Sequence, residues 1–140
     1  MVWTLEQPTP HRTNLSSGAR WESIVGYSRA VRIGNTIAIT GCVAVDDEGN
    51  VVGTTPYEQT KFVCEKIIRI LHAMNAPVQS LIRTRIFVCD ITEWESIGRA
   101  HGEVFGAIKP ATSMIEISRL IDSAYLIEIE ADAILMEEEK

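Results

Sequence analysis

No stretch of this 140-residue chain approaches the roughly 20 consecutive apolar residues that a membrane-crossing helix requires. Nor does a basic patch run into an apolar segment near the N-terminus, so a cytoplasmic protein with no membrane partner is expected. Cysteine is scarce. Cys42, Cys64 and Cys89 are odd in number, widely spaced and without a Cys-x-x-Cys pair or a histidine couple beside them. Neither a disulfide framework nor a zinc site is indicated, and the three are expected as buried, reduced thiols. An excess of positive charge is missing too: 13 Lys and Arg stand against 19 Asp and Glu, for a net charge of −6. That balance argues against generic attraction to nucleic-acid phosphates. Repeats, low-complexity tracts and Pro/Gly-rich linkers are absent as well. With 46% hydrophobic and 23% charged residues, the chain reads as one domain over 1–140 with a genuine core.

What is present is a succession of short periodic segments. The first 25 residues are weakly periodic, rich in Ser, Thr, Pro and Gly, and are expected to be an extended segment over the surface. From Tyr27 to Ile33 the pattern alternates, with Tyr27, Arg29, Val31 and Ile33 on one face. Gly34-Asn35 then turns the chain into a second strand, Thr36 to Thr40. A polar turn, Asp46 to Asn50, precedes a short edge strand at Val51-Val52. Thr55-Pro56 offers a cap residue and a first-turn proline for a helix. Between Tyr57 and Met74, Val63, Ile67, Ile70, Leu71 and Met74 recur at helical spacing. Leu81 to Cys89 alternates as a strand, with Ile82, Thr84, Ile86 and Val88 on one face and Arg83, Arg85 and Phe87 on the other. A second helix fits Glu93 to Ile108, where Trp94, Ile97, His101, Val104, Phe105 and Ile108 share a stripe. Trp94 is expected in the core and His101 as a satisfied, partly buried histidine. Two closing strands follow, Thr112 to Leu120 and Tyr125 to about Met136.

This order predicts an α/β (α+β) fold: a mixed sheet of five to six strands with two helices on one face. Two helices cannot cover both faces. The opposite face, carrying Leu81, Arg83, Arg85, Phe87 and Cys89, is too apolar for free solvation, so an oligomer built on that face is expected.

Over about residues 26 to 135 the chain resembles the RidA/YjgF (reactive intermediate deaminase) family. The resemblance is carried by Arg32-Ile-Gly-Asn-Thr-Ile-Ala-Ile-Thr-Gly41, Asp47-Glu-Gly-Asn-Val-Val-Gly53, Gln59 and Arg83-Thr-Arg-Ile-Phe-Val-Cys-Asp90. Its most specific parts are Pro110-Ala-Thr-Ser-Met-Ile-Glu-Ile-Ser-Arg-Leu120 and Ile127-Glu-Ile-Glu-Ala-Asp-Ala133. It implies a chorismate-mutase-like fold, a homotrimer with three intersubunit clefts, and no metal or organic cofactor. The implied reaction hydrolyses reactive enamines and imines to 2-keto acids and ammonia. Position by position, Tyr27 matches the family's cleft tyrosine, Gly41 its backbone contact to ligand, and Glu128 the glutamate that positions water. The family's Pro-x-Arg-Ser/Thr reads here Pro110-Ala111-Thr112-Ser113, so Thr112 stands where an arginine pairs with the substrate carboxylate.

A guanidinium supplies charge and two parallel donors to a carboxylate, which a threonine hydroxyl cannot. Arg29 and Arg85 are the candidates to replace it; alternatively both are solvated or paired with Glu128, Glu130 or Asp132. Glu128 is the candidate general acid/base. Cys42, next to Gly41, is a candidate cleft residue, with nothing beside it in sequence to mark a nucleophile. The expected ligand is a small metabolite, a carboxylate or a keto or imino acid. The alternative is a non-catalytic, metabolite-binding or chaperone-like trimer. Endoribonuclease activity ranks below both, because no base-stacking motif or phosphate-binding stripe is visible.

Overall fold

A computed structural model of the chain describes residues 3–136. Its strands are β1 (Thr4–Thr9), β2 (Arg12–Ser16), β3 (Ala30–Ile33), β4 (Thr36–Cys42), β5 (Leu81–Val88), β6 (Ala111–Glu116) and β7 (Ile127–Ile134). Its helices are α1 (Arg20–Val25), α2 (Pro56–Ala73) and α3 (Trp94–Phe105). The strands form one mixed sheet in the order β1-β2-β3-β4-β7-β5-β6, in which only the β5–β6 pair is parallel.

The two long helices arise where the sequence signals them. Thr55 caps α2, its Oγ1 accepting from the Glu58 N–H at 3.2 Å and donating to the Glu58 carboxylate at 2.9 Å, with Pro56 in the first turn. The buried stripe Val63, Ile67, Ile70 and Leu71 lies across β4 and β7, and α2 also packs on α3. Under them, Ile37 and Ile39 of β4, Ile86 and Val88 of β5, and Ile127, Ile129, Ala131 and Ala133 of β7 complete the core. The opposite sheet face carries Arg83, Arg85 and Phe87 of β5 beside Glu128, Glu130 and Asp132 of β7, all half-buried. Arg85 is paired there, at 3.4 Å from Glu130 and 3.1 Å from Asp132.

The structure departs from the sequence expectations at identifiable places. The first 25 residues are not simply an extended surface segment: a β1–β2 hairpin joins the sheet edge through β2 and β3, and α1 follows. These two strands bring the sheet to seven, against the five or six expected, and α1 is a third helix. In this segment Leu15 lies in the core and Trp3 packs partly buried against it; every residue of β1 is exposed, so backbone pairing rather than an apolar face defines that strand. The strand expected from Tyr27 begins at Ala30. Val51-Val52 makes only an isolated bridge from Val51 to Val45. In β5 the register shifts between Leu81 and Arg83, so Leu81 is buried and Ile82 is 44% exposed, the reverse of strict alternation. Trp94, expected in the core, begins α3 at 56% exposure.

His101 does reach the interior. Its Nε2 lies 2.9 Å from Thr84 Oγ1, which in turn lies 2.8 Å from Thr112 Oγ1 on β6. Phe105 meets the imidazole edge-on at 5.1 Å. Burial holds the His101 pKa below the ordinary histidine value. The chain therefore has a neutral, hydrogen-bonded structural histidine at this position.

Candidate active site

A cavity of about 530 Å³ opens where β4 ends, in the usual size range for a small-molecule site. Its lining comes from five parts of the chain: Trp3, residues 17–29, the end of β4 with the stretch after it, Lys66 on α2, and the connection from β6 into the start of β7. Tyr27, Arg29, Gly41 and Glu128 all face it.

The local folding explains why these four meet. Strand order β3-β4-β7 makes Arg29 and Glu128 near neighbours although 99 positions separate them in sequence. The Arg29 backbone is fixed on both sides, its N–H donating to Leu15 O at 2.7 Å and its carbonyl accepting from Thr40 N at 3.0 Å. The register of β4 on β7 shifts between Ile39 and Cys42. This bulge turns Gly41 toward Glu128 and sends the Cys42 side chain into the core. A Cβ on Gly41 would stand 2.6 Å from Glu128 Oε1, so only glycine leaves room for this carboxylate position.

Electrostatically the site is unusual. Arg29 is 8% exposed, and its Nε has no hydrogen-bond partner among the described residues. The guanidinium instead lies over the Tyr27 ring at 5.8 Å. Burial pushes the Glu128 carboxyl above the ordinary glutamate range; the nearby Arg29 charge opposes this rise and Glu130 adds to it. Burial likewise lowers Lys66, whose Nζ donates to Val45 O at 3.1 Å. Lys66 is a cavity cation that sequence reasoning missed, because the run Glu65-Lys66 to Arg69 reads as a solvated helix face. Only the loop carrying Val45, folded over α2, brings it inside.

Other candidates lie elsewhere. Cys42 is fully buried away from the cavity, with its thiol raised by burial and its Sγ 3.3 Å from Thr40 O. It departs from the expectation of a cleft residue because of the β4 bulge. Cys64, pushed up to about 12 by burial, is a core thiol. Arg85 is held by Glu130 and Asp132 on the open sheet face, and Thr112 is tied to Thr84 and, at 3.1 Å, to Pro110 O. Neither lines the cavity within one chain. Among the described residues, no cluster of His, Cys, Asp and Glu is suited to hold a metal ion.

Gly41→Ala provides a direct test of the carboxylate's position. The clashing atom is the end of a flexible side chain, so the fold should survive with a melting temperature within a few degrees, while Glu128 is displaced. Any turnover should fall at least about tenfold, in keeping with the sensitivity of catalysis to small misplacements. Unchanged turnover would mean that the observed Glu128 rotamer is irrelevant to chemistry.

Comparison with known proteins places this architecture in a family. A model of the family described as Endoribonuclease L-PSP matches residues 17–135. The crystal structure of Rv2704 from Mycobacterium tuberculosis, described as a member of the YjgF/YER057c/UK114 family, is 41% identical with a TM-score of 0.81, covering 89% of this chain and 99% of that one. A RutC family protein of Pyrococcus abyssi is 35% identical over 76% of this chain and 84% of its own length. The chloroplastic Reactive Intermediate Deaminase A of Arabidopsis thaliana is 28% identical over 78% of this chain and 58% of its own. The chain belongs to this family, the RidA/YjgF proteins. Among the described residues, no helix is long and apolar enough to cross a membrane.

Proposed function

We propose that the protein is a cytoplasmic homotrimer that binds a 2-imino acid, or the enamine tautomer of one, and hydrolyses it to the 2-keto acid and ammonia. One observation carries this reading: the cavity sets a buried arginine, without an ion pair among the described residues, and a partly desolvated carboxylate beside a glycine backbone. Arg29 holds the substrate carboxylate, the task given elsewhere in the family to the arginine that Thr112 replaces here. Glu128 takes a proton from water as the water oxygen bonds to the imine carbon and the C=N electron pair moves to nitrogen. That nitrogen receives the proton. Collapse of the carbinolamine then releases ammonia, with Glu128 relaying the hydroxyl proton to the leaving amine. Water is the only co-reactant.

The name of the Arabidopsis relative supports deaminase chemistry. The family model's name suggests RNA cleavage instead, but Asp46 and Asp47 at the cavity rim and a net charge of −6 oppose a phosphate backbone. The trimer reading is supported by the uncovered sheet face, where half-buried Phe87 stands between Glu128 of β7 and the exposed Ile115 of β6. A binding protein without turnover is the second reading, favoured by the orientation of Thr112, whose hydroxyl is bound to Thr84 and Pro110 rather than facing the cavity.

The test is to generate 2-aminoacrylate and larger 2-imino acids in situ and follow ammonia and keto-acid formation. Release faster than the spontaneous rate at catalytic protein concentration is expected. Binding of the keto acids with no acceleration for any imine would establish the second reading, and a stable monomer in sedimentation would remove the trimer.

A further inference from the structure

Most of the surface lining the cavity is apolar. Two stretches of the chain supply apolar wall: Trp21 and Val25 of α1, and Leu120, Ile121 and the Tyr125 ring of the β6–β7 connection. Both walls are built features. Glu22 is buried, and its carboxylate receives the Ser17 N–H at 3.2 Å as well as the Ser17 hydroxyl, which ties α1 to the end of β2. Gln59, also buried, donates to Ala124 O at 2.8 Å and accepts from Leu126 N at 2.9 Å, clamping the β6–β7 connection on both sides of Tyr125. Held this way, Trp21, Val25 and Ile121 keep 38%, 69% and 73% of their surface open. Apolar area left open around a concave, partly charged site marks a ligand surface.

We infer that the ligand is a 2-imino or 2-keto acid with a large apolar side chain, aromatic or branched, seated between Trp21 and Ile121 while its carboxylate meets Arg29. Two independent observations combine here. Arg29 is more than nine-tenths buried and its Nε has no hydrogen-bond partner among the described residues, which calls for an anion at one end of the ligand. The cavity of about 530 Å³ is several times what a three-carbon acid occupies, which calls for apolar bulk at the other. A three-carbon acid would leave the tryptophan wall wet. This inference deepens the proposed function and rests on it only for the carboxylate end.

The probes are pyruvate, phenylpyruvate and the neutral ketone phenylacetone, titrated calorimetrically into the wild type, Trp21→Ala and Ile121→Ser. Phenylpyruvate is expected to bind about 30-fold more tightly than pyruvate, the gain from burying one aromatic ring. Each wall variant should reduce that ratio to about fivefold or less, since truncation removes most of the buried contact. Pyruvate binding as tightly as phenylpyruvate would overturn the apolar-side-chain assignment and leave the carboxylate reading standing. Phenylacetone binding as tightly as phenylpyruvate would overturn the carboxylate reading instead, and failure of all three to bind would overturn both. If the wall variants dissociate the oligomer with the affinity ratio intact, the walls are a contact with a second copy of the chain and the inference falls.

Discussion

Glu128→Gln is expected to retain the fold and ligand affinity while losing about 100-fold to 10,000-fold in turnover, the range over which a positioned acid/base acts. Glutamine keeps the volume and accepts hydrogen bonds, but its amide cannot pick up and return a proton at neutral pH. The stability expectation has a definite sign. Burial raises the folded-state pKa of Glu128 above its ordinary value of 4.5, so holding the ionised form inside the protein costs stability once the pH exceeds the folded pKa. Replacing it by a neutral isostere should therefore leave the protein equally or more stable at pH 7. Below the raised pKa the wild-type carboxyl is protonated and cannot act as a base. Wild-type turnover should accordingly rise with pH through an apparent pKa above 4.5, and Glu128→Gln should lose that limb. A variant that turns over its substrate at the wild-type rate would remove Glu128 from the chemistry.

The parts of this site that were legible in the sequence are those set by local pattern. Thr55-Pro56 and the stripe from Val63 to Leu71 determine α2 through capping and periodicity, and the alternation of Thr84, Ile86 and Val88 marks the inward face of β5. Resemblance identified Tyr27, Gly41 and Glu128, which share one cavity. What escaped depends on contacts that no window of sequence contains. The β1–β2 hairpin is held by backbone pairing along an exposed edge, so β1 shows no apolar face to read. The side chains of Leu81 and Ile82 exchange environments because of a register shift, and a second shift on β4 buries Cys42 while presenting Gly41 to Glu128. A bulge is one extra residue in a ladder, invisible until its partner strand is known. The choice between Arg29 and Arg85 was likewise open from sequence alone: both lie on strands or strand entries, and only the strand order brings carboxylates to Arg85 and leaves Arg29 without an ion pair among the described residues.

Arg29→Met is expected to separate binding from stability in opposite directions. Arg29 is almost wholly buried, its Nε has no hydrogen-bond partner among the described residues, and its guanidinium lies over the Tyr27 ring at 5.8 Å. The strand entry does not rely on it, because the Arg29 peptide groups are hydrogen-bonded to Leu15 and Thr40 whatever the side chain. Burying a charge without a close partner is costly, and a cation over an aromatic ring returns only about 0.5–2 kcal/mol. Methionine, apolar and flexible enough to fill the space, should leave the unfolding midpoint unchanged or higher. Carboxylate binding should fall by about 100-fold or more, the usual consequence of removing one partner of a desolvated charge pair. A third readout distinguishes anchoring from mere packing: the Arg29 charge opposes the upward shift of Glu128, so its loss should move the acidic limb of the pH profile further up. Calorimetric titration with phenylpyruvate, urea unfolding and a pH–rate profile on the same variant measure all three. Affinity within about threefold of wild type would transfer the anchor to Lys66, the half-buried lysine of the cavity, and Lys66→Met would then have to show the loss. A marked fall in stability with affinity intact would make Arg29 a structural residue and leave the proposed carboxylate recognition without a basis.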